Sequence, residues 1–369
     1  MPAGFLWPML VTGAILVLTG CAAPRTGVEL ARRGDEIVIC GRYFHTGAPV
    51  VLWTDPGGYD AYRVERRFVP ADQAAWGWTD ADGKRPGPVS PNRYDVRNPR
   101  GSVTGPEVLT PEELERVRGG GWDLPTLRRV VDQFVIHYDV AGTSRQCFKV
   151  LHDLRGLSVH FMLDLDGTIY QTLDVKERAW HATTSNHRSI GIEIANIGAY
   201  PAKDAAVLDR WYARDDAGRV RVTLPDWMDD GGVRTPGFVA RPIRDEPIRG
   251  VINGSDLRQY DLTPEQYDSL IRLTAALCTA LPGIRCDYPR DAAGSVIPSK
   301  LSDDELASYS GLLGHWHVQE NKTDPGPAFQ WDRVIAGARR RMGIAPTPRR
   351  AGLLLGPDDG HAGRRPDRP

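Results

Sequence analysis

The chain has no excess of either charge. Its 46 Lys and Arg stand against 47 Asp and Glu, for a formal net charge of -1 over 369 residues. No global field therefore draws it to nucleic acid or to acidic lipid, and no local basic patch restores a nucleic-acid partner. It has neither a CxxC nor a Cys/His ribbon spacing, which argues against a structural zinc finger. No internal repeat is present. The apolar run from Phe5 to Leu18 stops at 14 residues, short of the roughly 20 that span a bilayer.

That run has the length of a signal-peptide core and leads into Leu18-Thr19-Gly20-Cys21. Small residues before a cysteine resemble the lipobox of bacterial lipoproteins, which implies residues 1–20 as a signal peptide and lipidation of Cys21. An ordinary secretory signal cut near Ala22-Ala23 and an uncleaved anchor remain the alternatives. The stretch before the run carries no Lys or Arg. Export sets an oxidising context. Of the four later cysteines, Cys40, Cys147, Cys278 and Cys286, the last two flank a Pro-Gly turn. They are the expected pair if a disulfide forms; buried free thiols are the alternative.

Residues 21–105 combine two short strand signals, Glu36–Cys40 and Val50–Trp53, with loop-like Gly, Pro, Asp and Asn. They are expected to form an irregular extension of no legible role. From 106 to 345 the signals sharpen into one domain. Three helix starts carry capping chemistry: Thr110-Pro111 with Glu113, Thr263-Pro264 with Gln266, and Ser302 with Glu305. The second continues as an apolar-periodic helix to about Ala280. Strands are predicted at 133–137, 159–164, 168–172 and 189–194, with a hairpin turn at Asp166-Gly167. Alternation puts Glu193 on the face opposite Ile192 and Ile194. Strands mixed with capped helices predict an α/β fold, a mixed central sheet flanked by helices. An insertion is expected at about 197–250, and a disordered, Arg/Pro/Gly-rich tail at 346–369.

His315 and Asp324 lie nine residues apart on a Gly/Pro-rich segment, and His137 ends a predicted strand. Two histidines and a carboxylate satisfy a catalytic zinc site with one position left open. Spacing alone leaves plainer readings standing: His137 as a core histidine, Asp324 as a turn cap, Glu193 as an exposed strand residue, Lys322 as a solvated charge.

The motifs around these residues carry more. Phe134-Val135-Ile136-His137, Val159-His160-Phe161, Asp166-Gly167-Thr168-Ile169-Tyr170-Gln171, Arg178-Ala179-Trp180-His181-Ala182, Ser189-Ile190-Gly191-Ile192-Glu193, Gly314-His315 and Lys322-Thr323-Asp324-Pro325-Gly326-Pro327 follow in that order. The series, over roughly 130–335, resembles the type 2 N-acetylmuramoyl-L-alanine amidases, relatives of the peptidoglycan recognition proteins. The resemblance implies a mixed sheet flanked by helices, with Zn2+ in a surface groove held by His137, His315 and Asp324. Glu193 matches the acidic residue that acts on the attacking water. Lys322 matches the lysine near the scissile carbonyl. His181, with Trp180, matches residues that line the groove toward substrate. Two departures stand out. Val159 occupies a position where some phage members carry a tyrosine, which favours a mechanism through Glu193, and His317 sits where relatives often carry Asp.

The implied activity is hydrolysis of the amide between N-acetylmuramic acid and L-alanine in peptidoglycan or muropeptides. The implied place is the bacterial cell envelope, with a lipid anchor to the membrane, or secretion if the lipobox is unused. The alternatives are a peptidoglycan-binding module without catalysis, a zinc hydrolase of another amide, and a wall-anchoring scaffold needing no metal.

Overall fold

The computed structural model describes residues 32–63, 94–97, 109–118 and 120–344. The signal-peptide, Cys21 and tail expectations lie outside the described residues. Among these residues no helix is long and apolar enough to cross a membrane.

The first strands are β1 (Glu36–Ile39), β2 (Arg42–His45), β3 (Val50–Leu52) and β4 (Tyr94–Val96). Helices α1 (Pro111–Arg118) and α2 (Leu124–Val130) lead into β5 (Gln133–Tyr138) and α3 (Ser144–Phe148). A widened helical stretch, Lys149–Arg155, continues α3. Strands β6 (Phe161–Leu163), β7 (Ile169–Gln171), β8 (Glu177–Ala179) and β9 (Ser189–Ile194) follow. The expected insertion contains α4 (Ala206–Trp211), β10 (Tyr212–Arg214) and β11 (Val220–Val222), and leads into β12 (Ile248–Ile252) and β13 (Ser255–Gln259). The chain then forms α5 (Pro264–Ala280), α6 (Asp303–Ser308), β14 (Gly311–Gly314), α7 (His315–Val318) and α8 (Trp331–Arg341).

Six strands form the central sheet, in the order β14-β5-β9-β6-β7-β3. All neighbours are parallel except β6 and β7, which are antiparallel across the Asp166-Gly167 turn. The mixed α/β sheet expected from the sequence is therefore present. Both capping boxes are formed at α5 and α6. At α1, Thr110 and Glu113 exchange the two equivalent bonds. Part of the stretch to residue 105 is built into the sheet: β3 is its edge strand, and Ile37 and Ile39 are fully buried in the main core. No disulfide joins Cys278 to Cys286. The two are buried free thiols inside the apolar cluster of α5, and Cys286 Sγ donates to the Ile335 carbonyl at 3.9 Å.

The two faces of the sheet differ in composition. Phe134, Ile136, Ile190, Ile192 and Ile194 point to one face and pack on α5 and α8. Each such fully buried side chain stabilises the fold by roughly 1.5–3 kcal/mol. The alternate residues of the same strands are Gln133, His137, Ser189, Gly191 and Glu193. On their face the apolar packing breaks into two separate clusters. One joins Met162 and Tyr170 to Phe148 and Leu151 of the helical stretch after β5. The other joins Val135 and Leu313 to Leu301, Leu306 and Val318. The face is thus covered at its flanks and left open over β5 and β9.

Candidate active site

Into that gap opens a cavity of about 630 Å3. His137, Trp180, His181, Glu193, His315, Lys322 and Asp324 all line it. Every residue singled out from the sequence for metal binding, catalysis or substrate contact is therefore brought together. Register explains how. His137 pairs directly with Glu193 across the parallel β5–β9 ladder, and Gly314 of β14 pairs with Ile136. The next residue, His315, falls level with His137. His137 and Glu193 thus share one row on adjacent strands about 4.8 Å apart, and His315, the first residue of α7, continues that row just past the end of β14.

Three ligand atoms converge at one end of this row. His137 Nδ1 lies 2.9 Å from His315 Nδ1 and 2.8 Å from Asp324 Oδ2, and His315 Nδ1 lies 3.0 Å from the same oxygen. All three residues are buried. The outer contacts admit the tautomers that a metal site needs. His315 Nε2 sits 2.7 Å from Gln319 Oε1, which can only accept, so that nitrogen carries the proton. His137 Nε2 faces His181 Nδ1 at 3.0 Å, and His181 Nε2 faces the Ser189 hydroxyl at 3.3 Å. With His181 donating to Ser189, His181 Nδ1 accepts from His137 Nε2. Both inner Nδ1 atoms then present lone pairs to each other and to a carboxylate. Such a trio repels itself without a cation, and two imidazoles with one carboxylate are the donor set of a catalytic zinc. Burial, followed by the neighbouring His315, lowers His137 to a pKa of about 4. Burial likewise holds His181 well below the ordinary histidine range. Both rings are neutral at pH 7, the form that ligates metal.

His181 fits behind His137 because residue 191 is glycine. A Cβ there would lie 2.5 Å from His181 Nδ1. Trp180 lines the cavity with its indole nitrogen buried and without a partner among the described residues. Glu193 is the one partly exposed residue of β9, and its Oε2 is buried without a hydrogen bond. Burial pushes the Glu193 carboxyl well above its usual range; Asp324 and Asp139 add to this and Lys322 opposes it. His317 and His160, the other two histidines in the motifs around the site, are structural. His317 Nδ1 accepts from the Gly314 amide while Nε2 contacts the Ile297 carbonyl, both at 2.8 Å. His160 is fully buried and accepts from the Gly191 amide.

The segment from His315 to Asp324 is fixed by residues that the sequence did not single out. The Asn253 side-chain amide reaches the carbonyls of Trp316, Gln319 and Lys322 at 3.3, 3.3 and 2.9 Å. Gln259 donates to the Pro325 carbonyl and accepts from the Ala328 amide. Tyr138 is bonded to Thr323 at 2.6 Å. The Asn253-Gly254 dipeptide marks a hairpin turn, but nothing local marks Asn253 as a clamp on a segment 60 residues further along. No residue of 197–250 lines the cavity. That stretch instead braces the loop after β5: a Cβ on Gly142 would lie 2.3 Å from the Trp211 ring.

A family model described as N-acetylmuramoyl-L-alanine amidase matches residues 127–327. No curated protein matches the chain. Similar solved structures include a selenomethionine derivative of AmpD, with 19% identity, 66% of this chain and 89% of that chain covered, and a TM-score of 0.30. A second is AmiD from E. coli in complex with anhydro-N-acetylmuramic acid-L-Ala-D-γ-Glu-L-Lys, with 19% identity, 60% of each chain and a TM-score of 0.31. A third is the amidase LysC from Clostridium intestinale URNW, with 16% identity, 59% of this chain and 89% of that chain, and a TM-score of 0.29. The matched family segment covers more than half of the chain and contains His137, Glu193, His315 and Asp324, and the chain belongs to the N-acetylmuramoyl-L-alanine amidase family.

Proposed function

We propose that the protein is a zinc-dependent N-acetylmuramoyl-L-alanine amidase, which hydrolyses the amide between N-acetylmuramic acid and L-alanine in peptidoglycan or muropeptides. The observation that carries this reading is the row His315-His137-Glu193, with Asp324 closing the donor set and the Glu193 Oε2 left unpartnered in the same cavity. His137 Nδ1, His315 Nδ1 and Asp324 Oδ2 would hold the ion. Zinc bound there would acidify the attacking water and polarise the scissile carbonyl.

The chain's own residues divide the remaining work. Glu193 Oε2 takes the proton of the water and returns it to the departing amine, which an amide needs because its anion is a very poor leaving group. A carboxylate in a desolvated site is a stronger base than one in water, and burial places Glu193 in that condition. The Lys322 ammonium stabilises the oxyanion of the tetrahedral intermediate, a role often worth a few kcal/mol. Trp180 offers an apolar wall with one free donor to the bound muropeptide. His181 touches the ligand His137 directly and orients it, so it positions the metal rather than only lining the groove. We place the protein in the bacterial envelope, exported and lipid-anchored through Cys21, where peptidoglycan is within reach.

Digestion of purified sacculi, followed by mass spectrometry, tests the activity. Free stem peptides beginning with L-alanine are the expected products. Their absence from digests by protein that carries zinc would refute the amidase. Metal analysis of the purified protein separately tests zinc; a metal-free protein that still cuts would remove the metal from the mechanism.

A further inference from the structure

The stretch 197–250 leaves the cavity alone, yet it presents one large aromatic to solvent. Trp227 is 67% exposed, on a short turn, Asp226–Met228, whose last residue is buried. Isolated exposed apolar side chains are common, so the mounting and the neighbours must decide. The mounting is rigid. Arg145 of α3 donates to the Met228 carbonyl at 2.7 Å. A Cβ on Gly231 would lie 2.6 Å from Thr143, and one on Gly232 would lie 2.8 Å from Arg145. The chain just past the turn, at Gly231 and Gly232, is therefore packed directly onto the start of α3.

Between the turn and the helix is a cleft of about 150 Å3, lined by Arg145, Gln146, Lys149, Trp227 and Met228. The Gln146 amide and the Lys149 ammonium have no hydrogen-bond or ion-pair partner among the described residues. The cleft thus offers an aromatic face, an amide and a cation. An aromatic face takes the C–H face of a pyranose, the Gln146 side-chain amide takes hydroxyl or acetamido groups, and a cation takes a carboxylate, which uncut wall carries on the stem peptides beside the strand. The same helical stretch floors the catalytic cavity: Cys147, Val150, Leu151 and Arg155 face the cavity, while 145, 146 and 149 face the cleft.

We propose that Trp227, Gln146 and Lys149 form a second saccharide site, which holds the glycan strand of polymeric peptidoglycan beyond the muramic acid unit in the catalytic cavity. This rests on the amidase reading for the identity of the ligand. The site favours intact wall over single muropeptides, because it lies on the other face of the helical stretch from the catalytic cavity.

The test uses the full chain and two substrates. Cosedimentation of chelator-treated protein with purified sacculi reads binding without digestion. Trp227→Ala should weaken it at least about fivefold, with Trp227→Phe retaining most of it and Lys149→Ala losing part. Zinc-loaded Trp227→Ala should cleave a soluble single-unit muropeptide within about twofold of the wild type. Unchanged sacculus binding in Trp227→Ala would overturn the proposal, as would an equal loss on both substrates. Failure of the wild type to cleave the muropeptide would count against the amidase reading, while the sedimentation series still reports on the glycan site.

Discussion

Among the described residues, two groups of histidine and carboxylate side chains come within reach of one ion. One is His137, His315 and Asp324; the other is Asp35, Glu36 and His45. They are built in opposite ways. The second group lies on one short hairpin, with His45 exposed. Its carboxylates are already engaged: Asp35 accepts from the Gly47 amide and pairs with His45, and Glu36 accepts from the Gly34 and Asp35 amides. They tie a turn. The first group gathers residues nearly 190 positions apart: His137 near the end of β5, His315 just past β14 and Asp324 on the turn before Pro325. Its inner atoms face one another and the cavity, and its outer nitrogens are fixed by Gln319 and His181. Convergence of ligand-type residues is thus not enough. What distinguishes a metal centre is that the surrounding structure occupies the outer atoms and leaves the inner ones to the ion.

The largest contrast is expected on removing one carboxylate from each group. Asp324→Ala should lower zinc affinity by more than about 100-fold, beyond the usual effect of an outer partner, and activity should fall with it. Equilibrium dialysis against a zinc indicator measures the affinity; retention of tight zinc would break the comparison. Glu193→Gln comes next and separates chemistry from binding. Muropeptide cleavage should drop by about 10²–10⁴-fold while zinc content, read by elemental analysis, stays at the wild-type level. Full activity in this variant would remove Glu193 as the proton carrier. His181→Ala probes the outer layer alone and should cost about 10–100-fold in zinc affinity, measured by competition with a chelator; an unchanged affinity would make His181 a groove residue only.

Two smaller effects sharpen the contrast from outside the metal site. Asp164 is fully buried, its Oδ2 has no partner among the described residues, and burial raises its pKa to about 8. Its folded value lies above its unfolded one, so its contribution to stability is fully present below about pH 4. That contribution is lost as pH rises to about 8. Asp164→Asn keeps the Oδ1 acceptor for the Ser144 and Leu165 amides and should flatten the fall in melting temperature across that window. An unaltered pH profile would show that Asp164 does not titrate there. The smallest effect belongs to the hairpin. His45→Ala should leave zinc stoichiometry unchanged and alter stability by about 1 kcal/mol or less, as read by denaturant titration; a loss of zinc would show that the exposed group also binds metal.

The sequence was legible wherever local chemistry decides. Thr263 and Gln266 announced α5, which runs to Ala280 as expected. The alternation of β9 placed Glu193 opposite its isoleucines, and the ordered motifs picked out the three converging ligands. It was silent where contacts join distant segments. Nothing near Asn253 reveals three carbonyls that lie 63 to 69 residues away. The strand signal at Val50–Leu52 did not show that β3 would close the sheet beside β7. The bond between His181 and His137 depends on the missing side chain at Gly191, which only the folded sheet reveals. For the cysteines the structure takes the second of the two readings, buried free thiols. Proximity in sequence brought Cys278 and Cys286 together, but as thiols.

The row of His315, His137 and Glu193 has a consequence for how this chain tolerates change. His137 and Glu193 are set by their rungs on the parallel ladder and His315 by the end of β14, not by the length of chain between them. A loop of any size can therefore be spliced between Glu193 and His315 without displacing either, and the long stretch that carries Trp227 occupies that interval. A slip of one rung is another matter. It would turn Glu193 toward the core and deliver an isoleucine to the groove. The same catalytic face is thus indifferent to fifty added residues in a connection and intolerant of one added within a strand.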